Sequence, residues 1–362
     1  MRIGVIAPLV EAVPPALYGG TERVVSNLTE ELVRRGHEVT LFASGDSVTS
    51  ANLVACVPRS LRLDPGAPDF VTATVFELGD VYKRANEFDI IHNHADWFGF
   101  AFAECVATPT VTTAHGRLDI EDIAYRYKRA AGQPLVSISR DQRTYIPNLN
   151  WVGTVHNGID ISRFCPRQAS GDYLAFLGRI SPEKGPERAV EIAERAGMRL
   201  VVAAKVDPAD RDYYESVVAP LFRRSSLVEF VGEVDEKAKD ELLGGAYAYL
   251  FPIDWPEPFG LTMIEAMATG TPVIAMARGS VSEVVADCET GFVCDSLDEM
   301  VAAVERVPLI DRRACRRRVE QLFSVSQMAD GYEAVYRRLL NARYSDLRPM
   351  IPGSPRSDVS LV

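Results

Sequence analysis

The chain of 362 residues is 47% apolar and 25% charged and carries a formal net charge of -11. This length exceeds the size at which one hydrophobic core keeps growing, so we expect two domains. The composition excludes a largely disordered, collagen-like or disulfide-stapled chain. The negative net charge argues against broad nucleic-acid binding, although a local basic patch can still bind a phosphate.

The cysteines and the apolar runs indicate where the protein works. Six cysteines are scattered along the chain without a Cys-x-x-Cys pair, as in a reduced intracellular protein. Residues 1–8 form an apolar run too short for a signal-peptide core, and no later segment approaches ~20 uninterrupted apolar residues. We therefore expect a cytoplasmic protein, for which peripheral membrane contact through a small patch is left open.

The first part of the chain alternates strands with helices. Residues 2–8 are β-branched and apolar, and after a proline-rich loop with two glycines an amphipathic stretch runs to Gly36. Such alternation predicts a parallel sheet. The predicted strands are 37–43, 89–92, 109–113, 135–138 and 152–155, and the later predicted helices are 71–86 and 97–106. The Asn-Gly-Ile-Asp segment at 157–160 breaks the pattern, so we predict a first Rossmann-like domain over 1–156 and a hinge after it.

A second series begins after the hinge and predicts another Rossmann-like domain, over 157–324. Its predicted strands are 173–177, 199–204, 227–231, 247–251 and 272–275, and its predicted helices include 185–197, 235–243 and 261–269. A last helix, over about 325–343, is a candidate to pack back on the first domain. The tail over 345–362 contains prolines and polar residues and is predicted to be disordered.

Two glutamates bracket the start of a predicted helix. Residues 257–265 read Glu-Pro-Phe-Gly-Leu-Thr-Met-Ile-Glu, so Glu257 lies in a proline-bounded loop and Glu265 on the helix. Carboxylates suit sugar hydroxyls, and the backbone N–H groups of Phe259, Gly260 and Leu261 can donate to a sugar or phosphate oxygen. The alternative is two solvated glutamates, but the small residues that follow Glu265 favour a side chain that points into a cleft.

This segment, with the continuation Glu-Ala-Met-Ala-Thr-Gly-Thr-Pro-Val-Ile at 265–274, resembles the family 4 retaining glycosyltransferases of GT-B fold, the group 1 type. The Gly-Gly loop and the hinge fall where that family has them. The resemblance implies an α/β fold of two Rossmann-like domains with parallel sheets that face each other across a cleft. It also implies a nucleotide diphosphate sugar as co-substrate, a hydroxyl acceptor and no cofactor.

Two cations follow the strand that ends near residue 177. Arg179 can bind a diphosphate bidentately and Lys184 adds a point charge, which would stabilise a leaving nucleoside diphosphate without a metal. The Walker spacing is absent, and an ordinary charged surface loop is an equal alternative on the residues alone. The resemblance implies that Arg179 and Lys184 are the phosphate-binding pair of the family.

Three further positions gain roles from the resemblance. Gly19 and Gly20 alone indicate little more than a turn; the resemblance makes Gly20 a donor-phosphate or acceptor contact and Gly19 an acceptor-side candidate. His115 follows a strand where open α/β sheets place ligands, and a core histidine is the usual alternative. The resemblance implies that His115 contacts the donor sugar, partly through its backbone carbonyl, and not as a general base. Val234 is a candidate for the base pocket, although a surface loop explains it almost as well.

A polar cluster follows the strand at 89–92. His92 and His94 superficially suggest a metal, but zinc needs a third ligand of known spacing, so no metal is predicted. We interpret His94, Asp96 and Trp97 as acceptor-facing. The Asp-x-Asp at 210–212 is interpreted as acids in the first turn of a helix rather than as a metal motif.

These features together predict a metal-independent hexosyltransferase. In it Glu257 binds the donor-sugar hydroxyls, Glu265 binds the nucleotide ribose, and Arg179 and Lys184 stabilise the leaving diphosphate. The resemblance implies retention of the anomeric configuration by front-face displacement, and frequency within the family favours uridine diphosphate glucose as donor. An epimerase or phosphorylase of the same fold, or a non-catalytic nucleotide-sugar-binding protein, is the alternative.

Overall fold

The computed structural model describes residues 1–17 and 19–346. Seven parallel strands form a first sheet in the order β3-β2-β1-β4-β5-β6-β7. These strands are β1 (Arg2–Ile6), β2 (Glu38–Ser44), β3 (Asn52–Val57), β4 (Ile90–Asn93), β5 (Thr110–Ala114), β6 (Leu135–Ser137) and β7 (Trp151–Thr154). The central strands β4 and β5 are buried along their whole length, as expected of a sheet covered on both faces.

Helices cover the faces of this sheet. They are α1 (Gly20–Arg34), α2 (Phe70–Lys83), α3 (Phe100–Ala103), α4 (Glu121–Arg129) and α5 (Arg140–Thr144). Helix α1 presents Val24, Val25, Leu28 and Leu32 to the core, at the spacing of one apolar helix face. Its first residues lie just beyond the carboxyl end of β1, which is the edge where open parallel sheets bind ligands.

Six parallel strands form the second sheet, in the order β10-β9-β8-β11-β12-β13. They are β8 (Tyr173–Arg179), β9 (Arg199–Lys205), β10 (Val228–Gly232), β11 (Ala248–Phe251), β12 (Val273–Met276) and β13 (Gly291–Cys294). The helices that follow in the chain are α6 (Pro186–Ala196), α7 (Arg211–Tyr213), α8 (Ala219–Arg224), α9 (Glu236–Gly244), α10 (Leu261–Ala268), α11 (Val281–Val284), α12 (Leu297–Arg306), α13 (Arg312–Leu322) and α14 (Val325–Asp346). A π-helical stretch, Tyr214–Val218, joins α7 to α8.

The prediction of an α/β fold with two Rossmann-like parallel sheets is confirmed. The sheets have separate apolar cores, and Leu261 packs against both. The predicted boundary at 156/157 falls between β7 and β8, and its position stays a prediction.

Several elements differ from the sequence prediction. The edge strands β3 and β13 and the helix α4 were missed. Strand β3 is only partly buried along its length, although residues 53–57 form a continuous apolar run. The helix predicted over 97–106 was wrong: a 3₁₀ turn spans Asp96–Gly99 and α3 ends at Ala103. The Asn93 side-chain amide donates to the Asp96 carbonyl at 2.8 Å and holds this turn.

Helix α14 follows the second sheet in sequence but packs on the first. Met328, Ala329, Tyr332 and Tyr336 are buried in the core of the first sheet, against α1 and β7. Arg35, which directly follows α1, donates to the Ser326 carbonyl at 2.8 Å. The helix runs to Asp346, so the first two residues of the predicted tail are helical, and the rest of that tail lies outside the described residues. In the described part of the chain, no helix is long and apolar enough to cross a membrane.

The burial of α14 predicts a measurable contribution to stability. Met328→Ala should lower the free energy of unfolding by about 2–5 kcal/mol, because it leaves a cavity under the helix. The matched control is Gln327→Ala, at the exposed neighbouring position, which should change it by less than about 0.5 kcal/mol. Chemical denaturation of both variants checks this, and equal midpoints would contradict the packing of α14.

Candidate active-site cleft

A cavity of about 540 Å³ lies between the two sheets. The second half of the chain lines it with the carboxyl ends of β8 and β9 and with the loop and first turn that lead into α10. The first half lines it with the start of α1, with His115 after β5 and with Arg62. The volume falls in the range of small-molecule sites.

Glu257 lies in this cavity and is held by Lys184. The Lys184 ammonium donates to Glu257 Oε2 and also lies 4.6 Å from the centre of the Trp255 ring. Only 8% of Glu257 is exposed, so the charge of its carboxylate is balanced locally by the lysine. The two residues, predicted from separate motifs 73 positions apart, form one ion pair.

Glu265 is held by a second lysine that the sequence analysis missed. Lys239 of α9 donates to Glu265 Oε1 at 2.6 Å, and Glu265 is 4% exposed. Lys239 also contacts Glu236 at 2.8 Å, and Glu236 contacts Arg23 of α1 at 3.2 Å. A chain of alternating charges therefore runs from Glu265 across the cleft to the first half of the molecule. No spacing in the sequence links α9 to Glu265, so the pairing of Lys239 with Glu265 is seen only in the folded structure.

The start of α10 faces the same cavity. Gly260 has φ 79°, and a Cβ at this position would lie 2.6 Å from Met263 Cε, so glycine is required there. The first backbone N–H groups of a helix have no acceptor within the helix. In α10 these groups lie at the end of the helix that lines the cavity. Phe259 is buried against Phe323, at 5.7 Å between ring centres, and anchors the turn. A Cβ built on Gly20 would lie 3.5 Å from Leu261 Cδ1, so the glycine loop lies close to α10 across the cleft.

Two cations lie side by side at the ends of β8 and β9. Arg179 and Lys205 are register partners in the parallel sheet, and both line the cavity. The Arg179 guanidinium contacts Glu183 at 2.6 Å and Asp210 at 3.3 Å, while Lys205 contacts Asp207 at 3.3 Å. Asp210 lies in the first turn of the short 3₁₀ helix that Asp207 caps, as the sequence indicated, and it also pairs with Arg179.

His115 lines the cavity and contacts His94. The distance from His115 Nε2 to His94 Nδ1 is 2.8 Å. Burial lowers the pKa of His115 to about 4, so its ring is neutral near pH 7. A neutral ring at this position can orient a ligand oxygen but carries no positive charge toward it.

The other members of the polar cluster do not line the cavity. His94 is 2% exposed, the Asp96 carboxylate accepts from the Tyr127 hydroxyl, and Trp97 stacks on Phe98 at 3.9 Å. Of the acceptor-side candidates, the structure brings only Gly19 to the cavity. In the part of the chain that the structure describes, no three His, Cys, Asp or Glu side chains cluster as metal ligands would.

Three charged residues of the first half line the cavity and were missed. Glu11 pairs with Arg62, and Glu22 lies in the first turn of α1. Burial raises the pKa of Glu22 to about 7, and the neighbouring Glu11 charge acts in the same direction.

A smaller cavity of about 120 Å³ adjoins the first. It is lined by Val234, Leu177 and Ala204 on its apolar side and by Glu265 and Lys239 on its polar side. Val234 and Glu265 therefore line the same pocket.

Two family models match the chain. The Glycosyltransferase Family 4 model matches residues 18–163, and the Glycosyl transferases group 1 model matches residues 162–320. The glycogen synthase of Mycobacterium tuberculosis is 27% identical over 362 aligned residues, which cover 84% of this chain and 86% of that protein.

Solved structures show the same fold. The sucrose-phosphate synthase of Thermosynechococcus elongatus superimposes with a TM-score of 0.77 and 21% identity, covering 94% of this chain and all (100%) of that one. HepE of Anabaena, solved in complex with UDP-glucose, has a TM-score of 0.69 and 16% identity, covering 96% and 100% of the two chains.

The two sheets and the cleft between them define a glycosyltransferase of GT-B fold. The chain belongs to family 4 of these enzymes, the group 1 type, as its motifs predicted.

The burial of Glu22 predicts a pH-dependent stability. Between its ordinary pKa of 4.5 and about 7, the unfolded chain loses this proton while the folded chain keeps it, so the free energy of unfolding falls as pH rises. Glu22→Gln removes this loss. The variant should therefore gain about 1–3 kcal/mol relative to the wild type between about pH 5 and about pH 8.

Thermal and chemical unfolding at the two pH values measure this gain. The control is Glu38→Gln, an exposed carboxylate at the start of β2, for which no such gain is expected. A stability difference between Glu22→Gln and the wild type that is the same at both pH values would contradict the assignment.

Proposed function

We propose that this protein transfers a hexose from a nucleotide diphosphate sugar to a hydroxyl acceptor, with retention of the anomeric configuration. The observation that supports this most is the convergence of Arg179, Lys184 and Lys205 on one cavity, opposite the start of α10. Three cations and a helix N-terminus form a site for a diphosphate.

The charge pairs of the cleft suggest how the donor enters. Lys184 is bonded to Glu257, and Arg179 to Glu183 and Asp210, so carboxylates occupy the positions that the diphosphate oxygens would take. On binding, the diphosphate competes for Lys184 and Arg179, and Glu257 becomes available to accept from the sugar hydroxyls. Cations already in place then stabilise the charge that develops on the leaving diphosphate.

Glu265 and the small cavity account for the nucleoside. A ribose has vicinal hydroxyls that suit a carboxylate acceptor, and Lys239 fixes the Glu265 carboxylate at 2.6 Å. Val234 and the apolar wall beside it would hold the base. We assign uridine diphosphate glucose as the donor, in keeping with the complex of HepE with UDP-glucose.

The neutral His115 shapes the proposed mechanism. A base is not required from the protein when the leaving phosphate itself accepts the acceptor proton on the same face of the sugar. His115 then orients the donor sugar, and the acceptor enters from the side of Gly19, Glu11 and Glu22. No metal and no cofactor has a role in this scheme, since the cations supply the charge.

An intracellular site of action fits this function. All six cysteines are free thiols, and Cys294 and Cys315 are buried. Free thiols of this kind persist in a reducing compartment, and we assign the protein to the cytoplasm.

Arg179→Ala tests the diphosphate site. Turnover of the donor should fall about 10²- to 10³-fold, because one preorganised cation is lost where the negative charge develops. The control is Arg199→Ala, an exposed arginine at the start of β9, which should transfer sugar at the wild-type rate. Near-normal transfer by Arg179→Ala would overturn the site.

The donor and the reaction class are read in a separate experiment. Purified protein is screened by thermal shift against nucleotide diphosphate sugars, and the donor that stabilises it is incubated with and without a hydroxyl acceptor. NMR of the product should show the anomeric configuration of the donor. Stabilisation by no nucleotide sugar, or isomerisation of the donor without an acceptor, would contradict the proposed function.

A further inference from the structure

A buried chain of hydrogen-bonding groups joins helix α14 to the cleft. His92 Nδ1 lies 2.7 Å from the Tyr336 hydroxyl, and His92 Nε2 lies 2.7 Å from Thr113 Oγ1. The His92 ring packs on the His94 ring at 3.9 Å between centres, and His94 Nδ1 lies 2.8 Å from His115 Nε2. His115 is the member of this chain that lines the cavity.

The protons of His92 follow from its partners. Thr113 donates its hydroxyl proton to the Tyr332 oxygen at 3.1 Å, so Thr113 Oγ1 can only accept from His92. His92 is neutral, because burial lowers its pKa to about 3, and its single ring proton therefore lies on Nε2. His92 Nδ1 then accepts from the Tyr336 hydroxyl. Both tyrosines of α14 thus fix the orientation of the His92 ring.

The proton shared by His94 and His115 has two possible positions. If His115 Nε2–H donates, then His94 carries its proton on Nε2, which is buried and has no hydrogen-bond partner among the described residues. If His94 Nδ1–H donates, His94 Nε2 carries no proton, and the buried atom without a partner is an acceptor. Buried N–H groups without an acceptor are rarer than buried acceptors without a donor, which favours donation from His94.

We propose that His94 is a positioning residue that holds His115 in the tautomer with its proton on Nδ1. With Nε2 occupied by His94, His115 presents an N–H donor as its remaining ring group. This donor suits a sugar hydroxyl or a phosphate oxygen and cannot remove a proton from the acceptor. The His92 ring packs on the His94 ring and so holds the His94–His115 pair in place. Helix α14 supports the His92 ring through Tyr332 and Tyr336. The tautomer of His115 does not depend on the proposed function, whereas the effect of that tautomer on turnover rests on the proposed function.

NMR of the ring nitrogens tests the tautomer directly. The wild-type chain with ¹⁵N-labelled histidine has only five histidines, so His115 can be assigned with a His115→Gln variant. We expect His115 protonated on Nδ1 and bare on Nε2. A His115 protonated on Nε2 would overturn the proposal, whether or not the protein transfers sugar.

Two variants of His94 test the positioning role. His94→Asn retains a donor near the position of Nδ1, and His94→Leu retains the bulk without a donor. Loss of orientation in the Leu variant should lower kcat on the order of 10- to 100-fold, while nucleoside diphosphate binding stays unchanged, and Asn should restore most of the rate. A Leu variant with the wild-type rate, or an Asn variant as slow as Leu, would overturn the role. If the Leu variant does not fold, the wild-type NMR result still decides the tautomer.

Discussion

The cleft depends on the pairing of buried carboxylates with cations. Glu257 and Glu265 are both less than a tenth exposed, and an unpaired carboxylate so buried would cost several kcal/mol or lose its charge. Lys184 and Lys239 remove that cost by direct contact. Because the lysines come from a loop and a helix far away in sequence, the pairs also fix the loop after β8 and helix α9 around α10.

This arrangement pairs the charged groups along the wall formed by β8, β9 and α10. The fixed groups are the ends of β8 and β9, which are locked in register, and the first turn of α10. Groups that do not reorganise during the reaction stabilise developing charge best. The chain of charges from Glu265 through Lys239 and Glu236 to Arg23 extends the same network to the opposite wall. These ion pairs link the second half of the chain to α1 of the first half.

Local patterns determine which features could be predicted from the sequence. The two sheets, and the positions of Glu257 and Glu265 around a helix start, follow from apolar runs and a contiguous motif, and the fold prediction is confirmed. Lys239 and Lys205 reach the cleft, and Asp210 reaches Arg179, only through strand register and helix packing, which no local spacing encodes. The polar cluster after β4 shows the converse: its composition suggested a surface for the acceptor, whereas burial places His92 and His94 among the supports of His115. Edge strands β3 and β13 were missed although both carry short apolar runs, at 53–57 and 292–294.

The central claim is that the wall formed by β8, β9 and α10 recognises a diphosphate through protein cations. Calorimetric titration of the purified protein with matched nucleoside diphosphates and monophosphates, in the presence of a metal chelator, tests it most directly. One nucleoside diphosphate should bind at least about tenfold more tightly than its monophosphate, equivalent to about 1.4 kcal/mol or more, with the chelator present. Equal affinities for the two, or loss of diphosphate binding on chelation, would contradict it.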